Sequence, residues 1–116
     1  MHVLTFLTRR VPGMSPNEFR DHYRTVHHQL AQQMPGLVSY QQTILCHGTG
    51  AWAAADDAFP SYDALSTYVF ESADAVREAF ASEAGLALDA DTRTFMDWDS
   101  IVSVESELVD HEETVR

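Results

Sequence analysis

The spacing of apolar and polar residues alternates along the chain between the period of a strand and that of an amphipathic helix. Residues 2–8 are rich in β-branched and aromatic side chains, which is typical of a strand. The clearest helical pattern begins at Ser15 and stops at Met34-Pro35-Gly36. The remaining predicted elements are strands over 37–47, 62–71 and 101–108, a helix that begins at Ser72, and further helix over 82–97 that is broken or bent near Gly85.

The ends of the first helix are well marked. Ser15 can accept a hydrogen bond from a free backbone N–H of the first turn, and Glu18 completes a capping box with it. Pro16 suits the first helical position because no N–H is needed there. Pro35 cannot extend the helix, and Gly36 can supply the left-handed turn that ends it.

The two faces of this helix separate its adjacent histidines. At about 100° per residue, His27 lies at the edge of the apolar stripe, on the same flank as Arg20 and Arg24. His28 points almost directly away from the core. The residues predicted to form the core-facing stripe are Phe19, Tyr23, Val26, Leu30 and Met34.

The order of the predicted elements is strand, helix, strand, strand, helix, strand. Right-handed crossovers in that order place four antiparallel strands in one sheet with the helices on one face. We therefore expect a single α+β domain over residues 1–116, with the ferredoxin-like βαββαβ fold. Because the other face of the sheet lacks cover, we also expect a homodimer that pairs through the sheet.

Composition and charge narrow the range of partners. A formal net charge of −11 disfavours nucleic acid and anionic lipid surfaces, and no apolar run approaches the roughly twenty residues of a membrane span. A single cysteine, Cys46, excludes an internal disulfide and a cysteine-based metal cage. We therefore expect a cytoplasmic protein that binds neither nucleic acid nor membrane, with an acidic tail over 109–116.

The basic residues have an uneven distribution. Four of the seven arginines stand between Arg9 and Arg24, and there is no lysine. This local positive charge suggests an anionic small molecule near the first helix, although the arginines can equally pair with neighbouring carboxylates. The six histidines do not show the spacing of a metal site, so neither a metal nor a cofactor is expected.

His27 is the strongest candidate for chemistry. An imidazole titrates near neutrality and can take a proton from a carbon acid and return it at another atom. From the residues alone, a packed histidine with satisfied nitrogens is the more common case. Tyr40 and Tyr68 are either packing residues or donors to a developing oxyanion. Trp52 lies in a predicted loop over 48–61 and is either a lid over a ligand or an ordinary loop anchor.

Several segments resemble the EthD family of dimeric α+β barrel proteins. The residues that carry the resemblance are PGMSPNEF at 12–19, then Tyr23, His27 and MPGL at 34–37, with weaker matches at 62–64, 70–72 and 91–97. The segment from 26 to 37 is similar to 4-methylmuconolactone methylisomerase-like members, which act on small lactones without a cofactor. That resemblance implies that His27 is the active-site histidine and that Tyr40 lines the same pocket. Tyr68 stands where those members have a cysteine.

These observations lead to one main hypothesis and two alternatives. The main hypothesis is a cofactor-independent enzyme that uses His27, with Tyr40 and Tyr68, to isomerise, dehydrate or cyclise a small hydrophobic carbonyl compound. The candidate substrate-binding residues are Tyr23, Trp52 and Arg24. The alternatives are a non-catalytic protein that binds such a compound, and a cofactor-free oxygenase of the dimeric α+β barrel type.

Overall fold

A computed structural model describes residues 1–45 and 62–112 of the chain. The predicted loop over 48–61, with Trp52, lies outside the described residues, as do Cys46 and the last four residues of the predicted acidic tail. Within the described part, no helix is long and apolar enough to cross a membrane.

Four strands form one antiparallel sheet in the order β2-β3-β1-β4. This order confirms the predicted α+β fold of ferredoxin-like topology. The strands are β1 (His2–Thr8), β2 (Leu37–Ile44), β3 (Ala64–Phe70) and β4 (Val102–Glu107). The helical elements are α1 (Pro16–His22), a π-helical turn (Tyr23–His27), α2 (His28–Gln32), α3 (Ala73–Ala81), α4 (Glu83–Phe95) and a 3₁₀ turn (Trp98–Ser100).

The helices cover one face of the sheet. Residues paired across neighbouring strands share a face, so the register of β1 with β3 sorts the side chains into two sets. The buried set faces the helices and includes Leu4, Ser66, Tyr68 and Phe70. The uncovered set, which we call the open face, includes Val3, Leu7, Leu65, Val69, Val102 and Val104, with Thr5 and Thr67 between them.

A β-bulge interrupts the alternation of buried and exposed side chains along β2. The register against β3 shifts between Leu37 and Ser39, so Val38 falls in a β-bulge and its side chain is exposed. Beyond the bulge, Tyr40, Gln42 and Ile44 lie opposite buried residues of β3. The extra residue of the bulge therefore takes Val38 out of the alternation that Tyr40, Gln42 and Ile44 follow.

The start and end of the first helix are as predicted. Ser15 Oγ accepts from the N–H of Glu18, and the Glu18 carboxylate accepts from the N–H of Ser15. Gly36 has a φ of 75°, which is the left-handed conformation expected where the chain leaves the helix.

The middle of the first helix differs from prediction. Residues Tyr23–His27 form a π-helical turn, which inserts one residue into the helical repeat. Val26, predicted to face the core, is 46% exposed, whereas His27 rotates inward and is 2% exposed. His28 does not point into solvent as predicted: it is half-buried, and its ring centroid lies 5.5 Å from that of Tyr40.

The second helical region breaks at Ser82, three residues before the predicted bend. Ser82 has extended backbone angles, and its Oγ accepts from the N–H of Gly85, so a new helix begins there. Gly85 permits the close approach of α3 and α4. Within α4, Leu86 points outward and is 62% exposed, whereas Leu88 and Phe95 are buried.

We expect Gly85→Ala to destabilise the fold. An added Cβ would lie 2.2 Å from the carbonyl oxygen of Ala79, so α3 and α4 would have to separate. Overpacking of this kind typically costs about 1–3 kcal/mol in the free energy of unfolding, measured by urea denaturation. Ala87→Ser, at an exposed position of the same helix, is the control and should change that free energy by less than about 0.5 kcal/mol. Equal stability of the two variants would contradict the close approach.

Candidate active site

A cavity of about 260 Å³ lies between the sheet and α4. Its walls are mainly apolar, with a few polar groups that converge on one space, as is usual in small-molecule sites. Its lining residues are Phe6, Thr8, His27, Ser66, Tyr68, Phe80, Leu88, Asp89, Thr92, Met96, Trp98, Ile101 and Ser103.

His27 reaches this cavity from the π-helical turn. Its ring packs between Tyr23 and Phe95, with centroid separations of 6.0 and 4.9 Å. His27 Nδ1 lies 2.9 Å from Asp91 Oδ2. Because an ionised carboxylate can only accept, the proton of the neutral ring is assigned to Nδ1, and Nε2 carries the lone pair. Burial lowers the pKa of His27 below its usual value, so the ring is a neutral base at pH 7.

Asp91 holds two histidines with its two oxygens. Its Oδ2 accepts from His27, and its Oδ1 lies 2.8 Å from His22 Nε2. In an α-helix, residues five apart point in different directions, but the π-helical turn bonds residue i to i+5 and brings His22 and His27 to one carboxylate. Hydrogen bonding and charge from Asp91 oppose the effect of burial on the pKa of His27, and His22 adds to the lowering.

Tyr68 lines the cavity beside a network of hydroxyl groups. Burial raises the pKa of Tyr68 well above its usual value, so the hydroxyl stays protonated and can donate a hydrogen bond. Tyr40 packs behind it, with ring centroids 4.7 Å apart, and receives a hydrogen bond from Gln42 Nε2 at 2.8 Å. Burial raises the pKa of Tyr40 to about 12, partly opposed by hydrogen bonds with Gln42, Tyr68 and Ser66.

Tyr23 and Arg24, two of the residues predicted to bind substrate, do not line the cavity. Tyr23 is fully buried, and its hydroxyl lies 2.6 Å from Ser66 Oγ, so it supports a lining residue without lining the cavity itself. Arg24 is exposed and lines a separate surface depression with Arg20, Tyr23, Gln42 and Ile44. Of the predicted site residues that the structure describes, His27 and Tyr68 are the ones that line the cavity. The roles assigned to all of them stay predictions.

Sequence reasoning missed the side chains that α4 contributes. Asp91 entered the sequence analysis only through the 91–97 resemblance, and Asp89 was not considered. Asp91 has no distinctive pattern in its local sequence, because its histidine partners are 64 and 69 residues away in the chain. Among the described residues, no group of three or more His, Cys, Asp or Glu side chains could hold a metal ion.

Comparison with models of protein families identifies the domain family of the chain. The EthD domain model matches residues 11–99, which span α1 to α4 and end within the 3₁₀ turn. The chain belongs to the EthD domain family. This result confirms the resemblance seen in the sequence, whereas the similarity to methylisomerase-like members stays a prediction.

Solved structures share the EthD fold at low sequence identity. An EthD family protein from Bacillus halodurans is 17% identical, with a TM-score of 0.73 and coverage of 94% of this chain and 100% of that one. A dimeric ferredoxin-like protein from Thermobifida fusca is 18% identical, with a TM-score of 0.67 and coverage of 92% and 90%. Hydroxynitrile lyase from Passiflora edulis is 12% identical, with a TM-score of 0.69 and coverage of 97% of both chains. No curated protein gives a significant sequence match.

We expect Asp91→Asn to lower the pKa of His27 further and to disturb its tautomer. The carboxylate favours the protonated ring, so its removal leaves burial unopposed. The pKa and the tautomer can be read from the ¹⁵N chemical shifts of the labelled ring during a pH titration by NMR. Asp99→Asn, at an exposed acid beyond α4, is the matched control and should change neither quantity. An unchanged His27 titration in Asp91→Asn would contradict this contact.

Proposed function

We propose that this EthD protein is a cofactor-independent enzyme in which His27 is the general acid and base. The observation that carries the proposal is the pairing of His27 with Asp91 at the wall of the cavity. The contact leaves Nε2 of a neutral imidazole as the ring nitrogen that can receive a proton. A general base of this kind typically contributes about 10²–10⁴-fold to a rate.

The proposed reaction moves a proton and involves no net oxidation or reduction. His27 Nε2 takes a proton from the carbon next to a carbonyl group, and the electron pair of the C–H bond becomes an enolate. Tyr68 donates a hydrogen bond to the enolate oxygen, with Tyr40 behind it. The protonated His27 returns its proton to another carbon in an isomerisation, to a departing hydroxide in a dehydration, or to the alkoxide oxygen formed in an aldol-type cyclisation.

The cavity favours a compact substrate. An apolar cavity of about 150 Å³ holds a benzene molecule. A space of about 260 Å³ therefore accommodates one ring with a short substituent. Phe6, Phe80 and Leu88 supply flat apolar walls, which suits an aromatic ring or a small cyclic ketone or lactone.

The comparisons support a small-molecule role in a general way. A hydroxynitrile lyase shares this fold at 12% identity, so the fold is compatible with lyase chemistry on a small compound.

We propose Tyr23, Arg24 and Trp52 as substrate-binding residues only in secondary roles. Tyr23 would act through Ser66, and Arg24 would act at the outer depression.

The direct test uses acetophenone as a probe and follows exchange of its methyl protons with D₂O by NMR. We expect the protein to accelerate the exchange and His27→Ala to remove about 10²-fold or more of the acceleration. Because burial lowers the pKa of His27, its base form persists below the usual pKa of an imidazole, and the rate should fall only at pH values lower than that. His28→Ala, which removes an imidazole outside the cavity, is the matched control and should retain the acceleration.

The same experiment distinguishes the second candidate function. A non-catalytic binding protein would take up acetophenone in the cavity without exchange of its protons. The mainly apolar walls favour this candidate, because they would bind an apolar ligand whether or not it reacts. Binding without exchange in the wild-type protein would therefore exclude the base role of His27 toward simple ketones.

We also propose that the open face pairs two copies of the chain into a dimeric α+β barrel. Val102 and Val104 lie on β4, and Val104 is 54% exposed in the single chain. A contiguous apolar surface of this kind on a sheet is typical of an association surface. The structural neighbour from Thermobifida fusca is described as dimeric.

The dimer should dissociate when charge is placed on the open face. We expect Val104→Arg to convert a species of twice the 13.0 kDa chain mass into the monomer, as measured by light scattering. Val38→Arg places the same charge at the exposed bulge of β2 and should leave the mass unchanged. A wild-type protein that has the mass of one chain would refute the proposed pairing.

A further inference from the structure

Among the residues that the structure describes, none in the wall of the His27 cavity carries a cationic side chain. The ionisable residues that line it are His27, Tyr68 and Asp89. The first is neutral and the second stays protonated, because burial opposes the charged form of each. Asp89 is therefore the group that sets the charge of the wall.

Asp89 is not neutralised by a partner. It lies on α4 at the cavity wall and makes no hydrogen bond or ion pair with any residue that the structure describes. The nearest candidate on its helix is Arg93, one turn later, whose charge opposes the rise that burial causes in the pKa of Asp89. The guanidinium of Arg93, however, lies over the ring of Trp98 at 3.7 Å, and Arg93 does not line the cavity.

The arginines of the first helix do not supply the missing positive charge. Arg20 and Arg24 line the outer depression, not the cavity. Tyr23 lies between the two spaces, since it lines the depression while its hydroxyl bonds to Ser66 of the cavity wall. A ligand in the cavity would therefore meet Asp89 without a compensating arginine.

We infer that the His27 cavity takes an uncharged ring compound that bears a carbonyl group and rejects carboxylates, and that Asp89 is the residue that enforces this choice. The inference rests on the proposed function in taking this cavity as the ligand site, and it names the class of ligand. An anion would leave water for a cavity whose described wall holds no counter-charge, and it would also face the carboxylate of Asp89. A neutral carbonyl avoids both costs and can still accept from Tyr68.

The inference replaces the expectation of an anionic ligand near the first helix. That expectation relied on the number of arginines between Arg9 and Arg24. The structure places the two helical arginines on the opposite side of Tyr23 from the cavity. Charge that is close in sequence to His27 is therefore not available to a ligand bound beside it.

The test compares two probes of equal size, acetophenone and benzoate, at pH 7.5, where His27 is neutral. Binding is followed by NMR through the ring signals of His27 and the indole N–H of Trp98, which report on the cavity. We expect acetophenone to shift both signals and benzoate to bind there at least about tenfold more weakly. Benzoate that shifts only residues of the outer depression would agree with the inference, since it would remain outside the cavity.

Two variants identify the residue responsible. Asp89→Asn keeps the size of the side chain and should narrow the difference between the probes by about 3- to 10-fold, mainly by improving benzoate binding. Glu78→Gln removes the same charge at an exposed position of α3 and should leave the ratio unchanged. The chemical shift of the Trp98 indole N–H signal shows in the same spectra whether each variant is folded.

Three results would overturn the inference. The first is benzoate binding in the cavity as tightly as acetophenone. The second is an unchanged probe ratio in folded Asp89→Asn. The third is the absence of any shift with acetophenone up to its solubility limit, which would show that the cavity does not take a single-ring ketone. None of these measurements depends on turnover, so they remain decisive even if His27 proves not to catalyse proton exchange.

Discussion

The candidate site depends on one irregularity in the first helix, the π-helical turn at Tyr23–His27. In a regular α-helix, residues spaced by four drift around the axis by about 40° at each step. The wide turn cancels part of that drift, so Phe19, Tyr23, His27 and Ala31 are all buried. Without it, the helical period would direct Val26 to the core and leave His27 at the edge of the helix face. Turns of this type occur often at functional sites.

The neighbouring elements stabilise this turn from three sides. Gln42 of β2 donates to the backbone carbonyl of Tyr23 at 2.6 Å, and the hydroxyl of Tyr23 lies beside Ser66 of β3. Asp91 of α4 binds His27 and His22, which stand at the two ends of the turn. Each contact joins residues far apart in sequence. The orientation of His27 is therefore a property of the assembled fold, since no local capping residue determines it.

The same packing separates His27, the proposed base, from the positively charged arginines of the first helix. The inward rotation that buries His27 leaves Arg20 and Arg24 on the outside of the helix. Burial keeps the imidazole neutral and the Asp91 contact leaves its Nε2 available, while Asp89 makes the wall acidic. A base in a mainly apolar cavity of this kind is better suited to neutral carbon acids than to carboxylates, because the latter would require a cation to offset their desolvation.

Sequence by itself determined the order of the elements, the cap at Ser15, the end at Gly36 and the family, because these depend on local hydrogen bonding, on steric limits of the backbone and on the hydrophobic period. It also singled out His27 and Tyr68. Tertiary structure alone decided that Val26 faces solvent, that Val38 lies in a bulge and that Leu86 is exposed. It alone brought Asp91 to His27, because one extra residue in a helix or strand rotates every later side chain, and only packing between distant segments shows where that residue is accommodated.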